Sequence, residues 1–200
     1  LNAVNRTVPD ELWPAAPVEL VKTLIVETAA GRDLKLGGSR TVSDSLVLMT
    51  GTLGIPGSST FTLHEGVITR VDGDIDDTAV GAVLDWGEDN AVVYLNNGTP
   101  ILTDVELPAV VTSLTFAHYP TFVGGNVLTT LTSPVTVKGQ STLYIRNDVQ
   151  TQIAAPLTVW CDVYIETDTV ANSQVPTCTF NAPLEFGGPD DQNLFIPNGG

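Results

Sequence analysis

One short pattern constrains this chain more than any other: an apolar–x–apolar unit that recurs from end to end of the 200 residues. Early copies are Leu24/Val26, Leu34/Leu36, Leu46/Leu48, Leu53/Ile55 and Phe61/Leu63. Later copies are Leu114/Phe116, Val135/Val137, Leu143/Ile145, Leu157/Val159, Val163/Ile165, Cys178/Phe180, Leu184/Phe186 and Leu194/Ile196. Alternation at period two marks β-strands with one buried face. Gly, Ser, Thr, Asn and Asp flank the units and end each strand after a few residues. No segment keeps apolar residues at helical spacing for three turns, and 18 Gly with 13 Pro interrupt any long helix. Residues 18–26 come nearest to a helix, but their β-branched tail favours a strand.

Short strands at close spacing fit two architectures. An antiparallel sandwich or barrel wants longer strands and tight hairpins. A β-solenoid stacks each strand on the one a full coil away. Asn-Gly hairpin signals occur only at Asn97-Gly98 and Asn198-Gly199. Gly37-Gly38, Gly124-Gly125 and Gly187-Gly188 instead read as bends between solenoid faces. The expectation is an all-β chain, a parallel β-helix of short strands, with a β-sandwich as the alternative. Residues 20–31 resemble 110–121, and 45–55 resemble 134–145, at an offset near 90. This divides one continuous array into a first unit, 1–107 with an entry segment at 1–17, and a second, 108–200.

The charge narrows the partners. Eight Lys and Arg stand against 23 Asp and Glu, a net −15. Such a field repels nucleic acid phosphates and anionic membrane surfaces. No run of 18 apolar residues exists, so no membrane-spanning helix is expected. Leu1-Asn2-Ala3-Val4 has neither the basic start nor the apolar core of a signal peptide, and the missing initiator Met suggests a processed chain or a fragment.

Residues 23–87 carry a family resemblance. Leu24-Ile25-Val26, Ala30-Gly31, Thr41 to Leu48, Thr50-Gly51-Thr52-Leu53 and Phe61 to Asp77 resemble repeats of very large surface proteins of Bacteroidota-type bacteria. A second copy begins at Ser113-Leu114-Thr115-Phe116, and the likeness weakens after about residue 150. The resemblance implies right-handed parallel β-helices in a secreted protein, often exported by the type IX route. It also implies an extracellular adhesin or filament at the cell surface, with neighbouring copies or further repeats as partners. It brings no catalytic residues with it. This chain departs from the pattern in its extra Pro and Asp and in its Cys pair, and it shows no C-terminal sorting domain.

Candidate chemistry is sparse. Asp72, Asp74, Asp76 and Asp77 form the densest acidic cluster. A D-x-D-x-D run can gather carboxylate oxygens around Ca²⁺, which makes calcium the candidate cofactor and a solvated loop the ordinary alternative. Counted from Asp72, the Gly and Glu places of an EF-hand hold Asp77 and Val83, so that motif fails. Cys161 and Cys178 fall in strand-like text, where a disulfide could join adjacent strands in an oxidising compartment; two free, buried thiols are the other reading. Tyr144 and Tyr164 occupy the x of their units and should face outward, where rings stack on sugars or bury in a subunit contact. Thr115, Thr136, Thr158 and Thr179 share that position and would form outward ladders.

Catalysis has little support in the text. Paired carboxylates cleave glycosides, and many polysaccharide-acting enzymes are β-helices, so a lyase, a hydrolase or a tailspike-like phage protein is the alternative class. The acids of the second half, Asp148, Asp162, Glu166, Asp168 and Glu185, are scattered. His64 and His118 lie near no plausible nucleophile, and no G-x-S-x-G or phosphate-binding Gly loop occurs. The sequence therefore reads as a stiff, non-catalytic element with surface polysaccharide as a further candidate partner.

Overall fold

The structure, a computed structural model, describes residues 6–8, 21–29, 31–118, 127–139, 143–145, 149–165 and 178–196. The described residues contain strands, turns and bends but no helix. Every strand pairing is parallel, and each strand stacks on its counterpart one coil away, so the fold is a β-solenoid. Parallel neighbours exclude the sandwich, which needs antiparallel hairpins. The chain divides into two compact units, Leu1–Asn90 and Ala91–Gly200.

In the first unit each coil has one short and one long strand. The short ones are β1 (Arg6–Val8), β3 (Asp33–Leu36), β5 (Thr52–Gly54) and β7 (Asp74–Asp76), ordered β1-β3-β5-β7. The long ones are β2 (Val21–Glu27), β4 (Arg40–Thr50), β6 (Thr60–Arg70) and β8 (Val83–Asn96). Inward residues stack in register: Leu24 on Leu46 on Ile68, and Leu34 on Leu53 on Ile75. Leu46, Ile68 and Leu53 are wholly buried, as the alternation requires.

The long strands exceed the three or four residues that the sequence pattern suggests, because pairing continues around a corner. Between Thr41 and Ser45 of β4 the register slips, and β6 carries one extra residue between Thr62 and Val67. An extra residue bends its strand without ending it. The corner needs glycine for closeness. A Cβ on Gly66 would lie 2.3 Å from the Asp44 carbonyl oxygen, and one on Gly87 would lie 2.1 Å from that of His64. Asn90 ties the same corner, its Nδ2 donating to the carbonyl oxygens of Leu63 (2.8 Å) and Gly87 (3.2 Å).

The second unit has three strands per coil. One sheet takes β8 from Ala91 onward, then β11 (Ser113–His118), β14 (Leu143–Ile145), β17 (Val163–Ile165) and β20 (Leu194–Phe195). Another holds β9 (Ile101–Leu102), β12 (Val127–Leu131), β15 (Val149–Ile153) and β18 (Cys178–Phe180). The third holds β10 (Val110–Val111), β13 (Val135–Val137), β16 (Leu157–Val159) and β19 (Leu184–Phe186). The core is again columnar: Val111, Val137, Val159 and Phe186 follow one another, as do Leu131, Ile153 and Phe180. Outward threonines pair as expected, Thr136 against Thr158. Phe180, Phe186 and Leu194 occupy inward column positions yet are 37%, 45% and 42% exposed, because among the described residues no strand stacks beyond β18, β19 and β20.

The recurring stacked unit is the single coil. Leu53 belongs to the short-strand sheet of the first unit, whereas Leu143 pairs with Leu114 and Val163 in the second.

Candidate functional site

The acidic segment begins where Arg70 ends β6 and continues through β7. Ile75 is buried, so alternation sends Asp74 and Asp76 outward together, opposite Thr52 and Gly54. Both carboxylates make local contacts there. Asp74 Oδ1 accepts the Ile75 N–H at 2.8 Å and lies 3.5 Å from Arg70 Nη2. Asp76 Oδ1 accepts both the hydroxyl and the N–H of Thr78. Those two bonds, the hydroxyl first, hold the Asp76 carboxyl below its ordinary pKa; slight burial opposes them and Lys35 assists. Among the described residues no group of three or more His, Cys, Asp or Glu is arranged to hold a metal ion. The geometry supplies turn closure at Asp76 and an ion pair at Asp74.

The cysteines are both free thiols, and they do not face one another across adjacent strands. Cys178 opens β18, where its ladder neighbour is Thr151. Cys161 is buried at the corner between β16 and β17, on a different side of the coil. Spacing alone suggested neighbouring strands, but the corner places the two on separate faces. Burial pushes the Cys178 thiol up to about 12, so it stays protonated and unreactive near neutrality.

An aromatic column occupies the outer side of the β11-β14-β17-β20 sheet. Thr115, Tyr144, Tyr164 and Phe195 are successive register partners. Tyr164 and Phe195 stack with ring centroids 4.4 Å apart and planes 14° from parallel. The side chain of Tyr144 lies outside the described residues. Beside this column Asp162 Oδ1 accepts both the backbone N–H (2.8 Å) and the side-chain amide (3.1 Å) of Asn193. Trp160, 42% exposed, packs across Gly187, and its Nε1 would sit 3.2 Å from a Cβ placed there. Stacked rings beside a carboxylate and an amide can hold a sugar ring or a protein surface.

His64 faces outward, as alternation requires, and its Nε2 meets Asp85 Oδ2 at 2.8 Å. The two side chains are 61% and 47% exposed, which makes them a solvated surface pair. The side chain of His118, and residues Asp148, Glu166 and Asp168, lie outside the described residues.

Sequence pattern missed a set of buried polar groups in the second unit. Tyr94 and Glu106 are fully buried; Tyr94 Oη donates to Glu106 Oε1 at 3.0 Å, and the Asp104 N–H donates to the same oxygen at 3.1 Å. Asn96, Thr129 and Thr151 are buried on strands, and Thr103 joins Thr132 through paired hydroxyl and backbone bonds. The one textual signal was Glu106 standing between Val105 and Leu107 at a proline corner. Comparison with known proteins adds no relative: no family model matches the chain, and no curated protein or solved structure matches it significantly.

Proposed function

We propose that this chain is a stiff structural or adhesive segment of a secreted bacterial surface fibre, acting through its outer faces without catalysis. The observation that carries the reading is the register of the inner columns. A solenoid whose every coil repeats its backbone pairing resists bending and proteolysis along its axis. Strand edges pair with further β-structure, and among the described residues β18, β19 and β20 are each paired on one side alone. The exposed Phe180, Phe186 and Leu194 fit that role, with neighbouring copies or further repeats as the partners.

Electron microscopy of the purified protein, with limited proteolysis, tests this reading. Rods or end-to-end assemblies with strong protease resistance are the expected outcome. Globular monomers under all conditions, digested readily, would sink it.

The aromatic column favours a second reading, a carbohydrate-binding β-helix, including tailspike-like proteins. Tyr164 and Phe195 supply rings at an outer face, with Asp162 and Asn193 beside them. Glycan-array binding and depolymerisation assays on neutral and acidic polysaccharides separate the two classes. Product release would favour the enzyme, and a trimeric mass the tailspike-like arrangement.

A further inference from the structure

Asn97-Gly98, a turn signal in the sequence, lies where the chain leaves β8 for β9. Asn96, the last residue of β8, is fully buried and fastens this corner from inside. Its Oδ1 accepts the Gly98 N–H at 2.9 Å, and its Nδ2 donates to Thr129 Oγ1 at 3.4 Å. Gly98 is exposed with φ +109°, a backbone region that side chains rarely tolerate. The glycine is therefore dictated by the corner, and with Asn97 before it the pair is a chemically labile one.

In an Asn-Gly pair the glycine nitrogen, unshielded by any side chain of its own residue, can attack the asparagine carboxamide carbon. A new C–N bond closes a five-membered succinimide, the nitrogen gives up its proton, and ammonia leaves. Water then opens the ring to aspartate or isoaspartate, with no oxidant or reductant involved. The attacking nitrogen must release its proton first. At Gly98 that proton is engaged in a hydrogen bond to the side chain of buried Asn96, and it must leave that bond before a base can take it.

We propose that Asn97 is a site of spontaneous deamidation, kept closed in the native corner by the Asn96–Gly98 hydrogen bond and released when the corner opens. Each event adds a carboxylate to a chain already at −15. The isoaspartyl product also lengthens the backbone shortly before Ile101, which must return opposite Thr129. Deamidation thus records opening of the corner and impedes its closure.

The test is peptide mapping by mass spectrometry that resolves Asn, Asp and isoAsp at position 97. The intact chain is incubated at mildly alkaline pH, native and in guanidinium, with Asn198-Gly199 as the in-chain reference in denaturant. Native conversion at Asn97 should be at least about tenfold slower than denatured conversion, since it waits on local opening. Asn96→Ala should raise the native rate about threefold to tenfold, the worth of one hydrogen bond. Asn96→Asp, which keeps an oxygen for Gly98, should convert more slowly than Asn96→Ala. Thr129→Val, which removes the Asn96 Nδ2 contact and leaves the Oδ1 bond to Gly98, should stay near wild type. Equal native and denatured rates in the unmodified chain would overturn the proposal without any variant. So would acceleration by Thr129→Val matching that of Asn96→Ala, which would mean general loosening.

Discussion

Tyr94 donates its hydroxyl to Glu106 inside the solenoid, 3.0 Å from oxygen to oxygen, with neither side chain reaching solvent. A buried carboxyl group is costly unless it is hydrogen-bonded, and here the Asp104 N–H donates to the same oxygen, Oε1. Tyr94 also stacks on Phe116, with centroids 5.6 Å apart. Tyr94→Phe keeps the ring and the stacking and removes only the donor. The expected cost is about 1–3 kcal/mol, the penalty for taking a hydrogen-bond partner from a buried polar group. Urea unfolding measures it; an unchanged midpoint would mean that Glu106 is satisfied without Tyr94.

The bend of the long strands rests on close backbone approach, and Gly87 is the strictest case. A Cβ there would meet three backbone atoms of His64, its oxygen, Cα and carbonyl carbon, all within 2.6 Å. Backbone cannot swing aside as a side chain can. Gly87→Ala should therefore cost about 3 kcal/mol or more, at the upper end of overpacking effects. Thermal unfolding reads the loss directly. A variant as stable as wild type would show that this corner relaxes freely.

These two sites mark where the sequence could and could not be read. Leu46/Leu48 and Phe61/Leu63 announced their burial because period-two alternation is a local code, and all four are buried. The same code treats polar residues as outward, so it hid Asn96, Thr129, Thr151 and Glu106. Gly66 and Gly87 drew no notice in the sequence, since closeness to the preceding coil is not written in neighbouring residues. Leu184/Phe186 and Leu194/Ile196 read as core pairs, yet Phe186, Leu194 and Ile196 are exposed, because burial in a solenoid depends on the next coil. The acidic cluster was legible as composition, but its role depended on Thr78 and Arg70, which accept no prediction from carboxylate spacing.

Asp76 sets a pH dependence with a defined sign. Its pKa is lowered from the ordinary 3.8, chiefly by the Thr78 hydroxyl. A depressed folded pKa contributes stability above the unfolded value, and that contribution is lost as pH falls below 3.8 through the folded pKa. Thr78→Val removes the larger donor and keeps the N–H, so the Asp76 titration should move upward toward the ordinary carboxylate value. Carbon-detected NMR titration of the carboxyl checks this, and no upward movement would reassign the cause. On the local-closure reading, chelator should leave the melting temperature unchanged. A rise on adding Ca²⁺ would instead support the cluster as a cation site.

Cys178 offers a complementary test on the alkaline side. Burial raises its thiol from 9.0 to about 12, which stabilises the protonated form in the fold. That contribution is fully present below pH 9 and is lost as pH rises through the folded pKa near 12. At pH 8 a thiol reagent should label Cys178 far more slowly in native protein than in guanidinium, because the raised pKa leaves the thiolate scarce in the fold. Cys161, buried at its corner, should be protected as well. Intact mass under non-reducing conditions should show two free thiols. A mass lower by two hydrogens, with no labelling in denaturant, would mean that the two cysteines had been brought together by a rearrangement of the β16–β18 coil, since the present register gives Cys178 Thr151 as its neighbour.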